Sequence, residues 1–193
     1  MLALQGAFRE HVAALRECGV GAVEVRRAPE LDGLDGLVIP GGESTAIGKL
    51  IGDYGLAEPI AALHRRGGAV FGTCAGMIVA ARDAVDGRAD QVLLGLIDVE
   101  VRRNAFGRQV ASFEAELELA GEPEPLPAVF IRAPWIERAA EGVELLASHG
   151  GHPVAARQGR VLVTAFHPEL TADRRLHRRF LGMVAAAQEG VAA

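Results

Sequence analysis

Short β-branched runs alternate with amphipathic helical segments through the first eighty residues, and this alternation restricts the fold more than any other feature. GAVEVRR (21–27) and DGLVIPGG (35–42) read as strands. Ahead of them, FREHVAALREC (8–18) sets Phe8, Val12, Leu15 and Cys18 at helical spacing, and Gly19 follows as a stop signal. STAIGKLIGDYG (44–55) and AEPIAALHRRGG (57–68) are two further helical segments, each ended by glycine, before AVFG (69–72) returns as a short buried strand. Alternation with short connections predicts an α/β fold, a doubly wound and mostly parallel sheet flanked by helices.

The second half reads differently. LIDVEVRR (96–103), SFEAELEL (112–119), AVFIRAPW (128–135), VELLASHG (143–150) and RVLVTAFHP (160–168) are all strand-like, with turn residues between them. In SFEAELEL the alternation of Phe113, Ala115, Leu117 and Leu119 with acidic residues predicts an antiparallel strand with one wet face, so the sheet is expected to be mixed. DRRLHRRFLGMVAAA (173–187) reads as a helix with Leu176, Phe180, Met183 and Val184 inward; Arg174, Arg175, Arg178 and Arg179 are expected to form a solvated face rather than an anion site. GEPEPLP (121–127) reads as a Pro-rich loop, not a boundary, so residues 1–193 are expected to form one domain.

Charge and cysteine content narrow the function. A net charge of −5 and a pI of 5.7 argue against a broad basic surface for nucleic acid or anionic lipid. No basic-then-apolar leader opens the chain and the apolar runs fall well short of a membrane span, so neither membrane nor nucleic acid is expected as a partner. Cys18 and Cys74 are too few for a disulfide framework and fit a reduced cytoplasm.

That setting leaves a thiol free for chemistry. Gly72-Thr73-Cys74-Ala75-Gly76 has the form G-x-C-x-G, the thiol counterpart of the serine elbow, at the junction of a strand and a helix. Small neighbours let such a residue project above the sheet, and the helix start favours thiolate over thiol. The N–H of Ala75 is placed to meet a developing oxyanion. A buried cysteine that only packs is the competing reading.

A nucleophile needs a base. His11, His64 and His177 fall in helical patterns, where surface or capping roles are expected. His149 and His152 flank two glycines in SHGGHP, but no further ligands accompany them and no metal site is expected. His167 differs, because TAFHPEL puts it at the C-terminal end of a strand, where open α/β sheets build their sites. Pro168 fixes the chain direction, and Glu169 turns back to hold the imidazole, giving Cys74, His167 and Glu169 as a candidate triad. IPGGEST (39–45) follows another buried strand; Gly42 is a candidate second oxyanion donor, and Ser44 or Thr45 a candidate helix cap.

With these residues in view the chain resembles the class I glutamine amidotransferases, and among them the family of glutaminase subunits of pyridoxal 5′-phosphate synthase. GTCAG and HPE mark the broad class, whereas LQGAFREH, PGGEST and RNAFGRQ point to this family, and LALQG and FIRAP extend the likeness nearly end to end. The resemblance implies a flavodoxin-like sheet and hydrolysis of L-glutamine to glutamate and ammonia through a cysteine thioester. It implies Cys74 as nucleophile, His167 as general acid and base, and Glu169 as its orienter. It also places glutamine against Gly42, Glu43, Ser44, Arg103, Ile131 and Arg132. Two arginines suit the substrate carboxylate, and an acidic group suits its ammonium. The implied partner is a (β/α)₈-barrel synthase subunit in a large hetero-oligomer, which receives the ammonia and makes pyridoxal phosphate; no cofactor is expected in this chain. Members of the family usually carry several more apolar residues before LALQG, whereas here Met1 directly precedes Leu2, giving a shortened first strand. A peptidase-like hydrolase and a noncatalytic binding module are the rival classes, and a glutaminase serving imidazole glycerol phosphate synthesis is the nearer alternative.

Overall fold

The computed structural model describes residues 1–85, 91–106 and 112–189. Gly107, Arg108 and Gln109 of the RNAFGRQ motif lie outside the described residues. The first half alternates helix and strand: α1 (Phe8–Glu17), β1 (Gly36–Ile39), α2 (Ser44–Asp53), α3 (Ala57–Arg65), β2 (Ala69–Thr73) and α4 (Ala75–Ala80). The second half is strand-rich: β3 (Ala81–Ala84), β4 (Ile97–Arg102), β5 (Ser112–Leu117), β6 (Leu126–Ile131), β7 (Trp135–Ala139), β8 (Glu144–His149), β9 (His152–Gln158) and β10 (Val161–Thr164), then α5 (Arg175–Glu189).

The main sheet has the order β1-β2-β10-β9-β8, parallel from β1 to β10 and antiparallel beyond. Every residue of β2 is buried, as helices on both faces require, and this is why AVFGT carries no polar alternation. Smaller sheets, β3-β4-β7 and β5-β6, complete the mixed α/β architecture. β5 runs antiparallel to β6 with its glutamates outward, matching the alternation in SFEAELEL. Leu176, Phe180 and Met183 of α5 join the core.

Several expectations are corrected. The strand over 21–27 reduces to a single bridge, Leu2 to Val25, since the segment beside it is extended only over residues 1–3, which lie between Val25 and β1. The run 128–135 is two strands, broken where Arg132 takes φ 44°. β3 and β9 escaped the pattern: β3 exposes Arg82 and Asp83, and β9 carries Pro153 ahead of three consecutive buried small residues, Val154, Ala155 and Ala156. The arginines of 174–179 are not a solvated face. Arg174 pairs with Glu17 at 2.7 Å, Arg175 with Asp173 and the carbonyls of Glu124 and Pro125, and Arg179 with the Ala120 carbonyl; Arg178 alone of the four is exposed. They tie α5 to α1 and to the loop before β6.

The junction of β2 and α4 is the tightest point of the fold. A Cβ on Gly76 would stand 2.0 Å from the Ile39 carbonyl oxygen of β1, and one on Gly72 would stand 2.6 Å from the Gly76 oxygen. Gly182 of α5 has nothing within 4 Å of such an atom. Gly76→Ala is therefore expected to destabilise by about 3 kcal/mol, lowering Tm by about 6–12 °C. Gly182→Ala should leave Tm unchanged or raise it. Thermal melts followed by circular dichroism compare them, and an unshifted Gly76→Ala melt contradicts the close approach.

Candidate active site

Cys74 sits between β2 and α4 with φ 48° and ψ −104°, a backbone conformation that a non-glycine residue holds only when its surroundings impose it. The imposition is visible. Its N–H donates to the Thr164 carbonyl of β10 at 2.7 Å, and its carbonyl accepts from Met77 N–H at 3.1 Å, the first turn of α4. The side chain is almost fully buried, with Sγ 3.8 Å from the Ile131 carbonyl oxygen.

His167 follows β10 and is held by its N–H to the Val129 carbonyl of β6 at 2.8 Å. Pro168 to Leu170 form one tight 3₁₀ turn, which brings Glu169 back under the imidazole. His167 Nδ1 donates to Glu169 Oε1 at 2.7 Å, with the glutamate side chain wholly buried. Burial opposes charge on His167, but hydrogen bonds with Cys74 and Glu169 outweigh it and raise its pKa to about 10. Burial likewise opposes the Glu169 charge, and His167 with its neighbour His11 holds the carboxyl below its usual range.

The PGG segment packs over this pair. Gly41 N–H donates to Thr73 Oγ1 at 3.0 Å, and a Cβ on Gly41 would stand 2.4 Å from His167 Cε1. Glycine is thus required here for close approach: neither Gly41 nor Gly42 is in the left-handed region. The cap of α2 is Glu43, not Ser44 or Thr45; its carboxylate accepts from the N–H of Thr45 at 3.0 Å and of Ala46 at 2.6 Å. Burial works against the Glu43 charge, but those N–H groups and Arg103 hold it below the carboxylate range.

Gly42, Glu43, Ser44, Cys74, Ala75, Arg103, Ile131, Arg132 and His167 line one cavity of about 310 Å³, and Glu169 lies directly behind His167. Gln5, Ile78 and Asn104 complete the lining. Asn104, like Arg132, has φ 44°, so three non-glycine residues in strained conformations meet at this cavity.

Residues expected at the surface stand behind it. His11 and His177 are fully buried, with His11 Nδ1 3.0 Å from His177 Nε2 and His11 Nε2 3.0 Å from Thr73 Oγ1. Burial pushes their pKa values down, to about 4 for His11 and about 3 for His177, where the neighbouring His11 and Arg174 add to it. Helical spacing carried the signal: His11 falls three residues after Phe8 and four before Leu15, and His177 three before Phe180, so both lie on the inward stripes. His149 stacks on Phe113 and His152 on Trp135, and among the described residues no group of three or more His, Cys, Asp or Glu is placed to hold a metal. Nor is any helix among them long and apolar enough to cross a membrane.

The α/β sheet with its elbow cysteine superposes on a solved structure described as a glutamine amidotransferase with a TM-score of 0.90 at 52% identity, covering 95% of this chain and 97% of that one. The model of the SNO glutamine amidotransferase family matches residues 1–186, and the chain belongs to that family. Pyridoxal 5′-phosphate synthase subunit PdxT of Parafrankia sp. (strain EAN1pec) is 60% identical over 185 residues, 95% of this chain and 91% of that one. The protein of the same name from Frankia alni is 56% identical over 191 residues, 98% and 96% of the two chains.

The buried histidines give the stability a defined pH dependence. His11 and His177, held neutral, contribute stability that is present above the unfolded value of about 6.5 and lost as pH falls towards about 4 and about 3. His167 runs the other way, its contribution complete below about 6.5 and lost as pH rises through about 10. The acid side therefore has two such groups and the alkaline side one, at about 1.4 kcal/mol per pH unit each. Urea unfolding at pH 5, 6.5 and 8 should give a steeper fall towards acid, and a flat profile between pH 6.5 and 5 would contradict the neutral buried pair.

Proposed function

We propose that this chain is the glutaminase subunit of a pyridoxal 5′-phosphate synthase, a single cytoplasmic domain over residues 1–193 that hydrolyses L-glutamine and passes ammonia to a (β/α)₈-barrel synthase subunit within a larger hetero-oligomer. The observation that carries the reading is the convergence of Cys74, His167, Glu43, Arg103 and Arg132 on one cavity. The names of the relatives support the pathway and the partner.

In this reading Arg103 and Arg132 take the substrate carboxylate and Glu43 its ammonium, which sets the side-chain amide over Cys74. Gly42, Ser44 and Ile131 line the path of the glutamine chain. Cys74 Sγ attacks the carboxamide carbon, and the oxygen that gains charge is met by the N–H groups of Gly42 and Ala75. His167 gives its proton to the departing nitrogen, so the C–N bond breaks, ammonia leaves and a thioester remains. The same imidazole then takes a proton from water, whose oxygen attacks the thioester and releases glutamate and the Cys74 thiolate. Glu169 keeps the ring oriented and its charged form stable through both steps. The chemistry calls for no cofactor in this chain.

Cys74→Ala is expected to lower glutaminase activity at least about a thousandfold with the fold retained, because a small side chain still fits the elbow. Cys18→Ala should be silent. Mass spectrometry after treatment with an electrophilic glutamine analogue should find the label on Cys74 alone; label that persists in Cys74→Ala and vanishes in Cys18→Ala refutes the assignment. Low activity in the isolated chain and strong stimulation by the synthase subunit are also expected. Gln5 Oε1 accepts from the Glu43 N–H at 2.8 Å and lies against Gly42, so it is positioned to report the partner to the oxyanion site. Gln5→Ala should cut the stimulated rate more than the basal rate. Equal basal and stimulated rates in the unaltered chain would defeat the coupling and leave the triad standing.

A further inference from the structure

Behind the cavity, against Glu169, lie three buried polar residues, His11, Thr73 and His177, of which the proposed chemistry makes no use. Glu169 gives Oε1 to His167, but its wholly buried Oε2 has no aligned hydrogen-bond partner among the described residues. His11 Nε2 stands 3.2 Å from it, with both side chains fully buried. That nitrogen is also 3.0 Å from Thr73 Oγ1, while His11 Nδ1 is 3.0 Å from His177 Nε2, and His177 Nδ1 is buried without a partner among the described residues. We propose that His11 is the positioning residue of the triad: it carries its proton on Nε2, donates it to Thr73 Oγ1 while the same N–H stands against Glu169 Oε2 off the bond axis, and is held in that tautomer by a donor from His177. The inference rests on the glutaminase reading for the role of Glu169.

The contact with the carboxylate decides between the tautomers of His11. His11 is neutral at working pH, so it has one ring proton to place. With the proton on Nδ1, the Nε2 lone pair faces an ionised carboxylate oxygen at 3.2 Å. His177 would then have to accept through Nε2 and leave an N–H on Nδ1 buried with no acceptor. Both are costly in a dry interior. With the proton on Nε2, the carboxylate faces an N–H instead of a lone pair, His177 donates from Nε2 to His11 Nδ1, and its Nδ1 is left as a lone pair instead of an N–H, while the Thr73 hydroxyl accepts from both His11 and Gly41 and turns its own proton away from the ring. Thr73 Oγ1 also accepts from Gly41 N–H at 3.0 Å, so one hydroxyl joins the back of the triad to the PGG loop. The charged groups facing His11 are Glu169 and His167 from the turn after β10, Glu10 from α1 and the chain amino terminus; Arg174 faces His177.

The wild-type chain with ¹⁵N-labelled histidine provides the first test. Ring-nitrogen shifts should show His11 and His177 neutral and protonated on Nε2; an Nδ1–H tautomer at His11 overturns the proposal whatever the variants do. The second test measures glutamine hydrolysis in the complex with the synthase subunit. His11→Leu keeps the volume and removes the donor, so kcat should fall about tenfold to a hundredfold while KM stays within about twofold, since His11 does not line the cavity. Without that N–H beside it Glu169 protonates more readily, and the acid limb of kcat should move up by about one pH unit. His11→Gln returns an N–H at similar reach and should restore both kcat and the limb. A packing role predicts the reverse order, with leucine tolerated and glutamine not, and that result overturns the proposal. A wild-type complex that releases no glutamate at all defeats the glutaminase reading instead, and the ring-nitrogen shifts still decide the tautomer.

Discussion

The site depends on a chain reversal for which there is no spare room. Between β2 and α4 the backbone turns through Cys74 at φ 48°, a conformation that costs about 1–3 kcal/mol in a non-glycine residue. It persists because Gly72 and Gly76 let the helix start press against the strand and against Ile39 of β1, and because the Cys74 N–H is pinned to Thr164. A side chain at either glycine would push α4 off the sheet and take the sulfur with it. The same crowding extends to Gly41, whose missing Cβ is the space that the His167 ring occupies. Three glycines, one in β2, one in α4 and one just after β1, thus define where a thiol and an imidazole can meet.

Burial then sets the electrostatics. Glu169 and His167 lie where water cannot screen them, so each would be costly alone and the pair is favourable together. The raised pKa of His167 expresses this balance: burial alone would push the ring towards neutrality, yet its two hydrogen-bonded neighbours keep it charged. On the proposed reading that charged ring is what a thiolate needs beside it and what a leaving ammonia needs as a proton source.

What the sequence disclosed and what it hid divide along a physical line. GTCAG, PGG and HPE were legible because each is a local device in which a turn, a small residue and a functional group lie within five positions. The fold class was legible for a similar reason, since AVFGT and GLVI are continuous apolar runs that only a sheet covered on both faces can hide. His11 and His177 lie on the inward stripes of their helices, three residues from Phe8 and from Phe180, but a histidine on a stripe names no partner, and the carboxylate that His11 faces, Glu169, is more than 150 positions away. The Glu43 cap was missed because Ser and Thr are the stronger cap formers and stand in the next two positions. The α5 arginines read as a wet face because their acceptors, carbonyls of the 120–125 loop, carry no signal in composition.

Contact geometry also determines how a signal at the chain surface reaches the sulfur. Gly6, at φ 96°, packs so closely that a Cβ would stand 1.9 Å from the Gly41 carbonyl oxygen, and that same oxygen accepts from Ala7 N–H at 3.0 Å. Gln5 holds the next peptide through Glu43 N–H. The two loops therefore have no slack between them, and residues 5–7 cannot shift without carrying 41–43 along. Gly41 in turn rests on the His167 ring and on Thr73, the neighbour of Cys74. Loop displacement is thus passed on through hard contacts and hydrogen bonds rather than through charge, and through Gly41 and Gly42 it bears at once on the His167 ring and on an N–H proposed to meet the oxyanion.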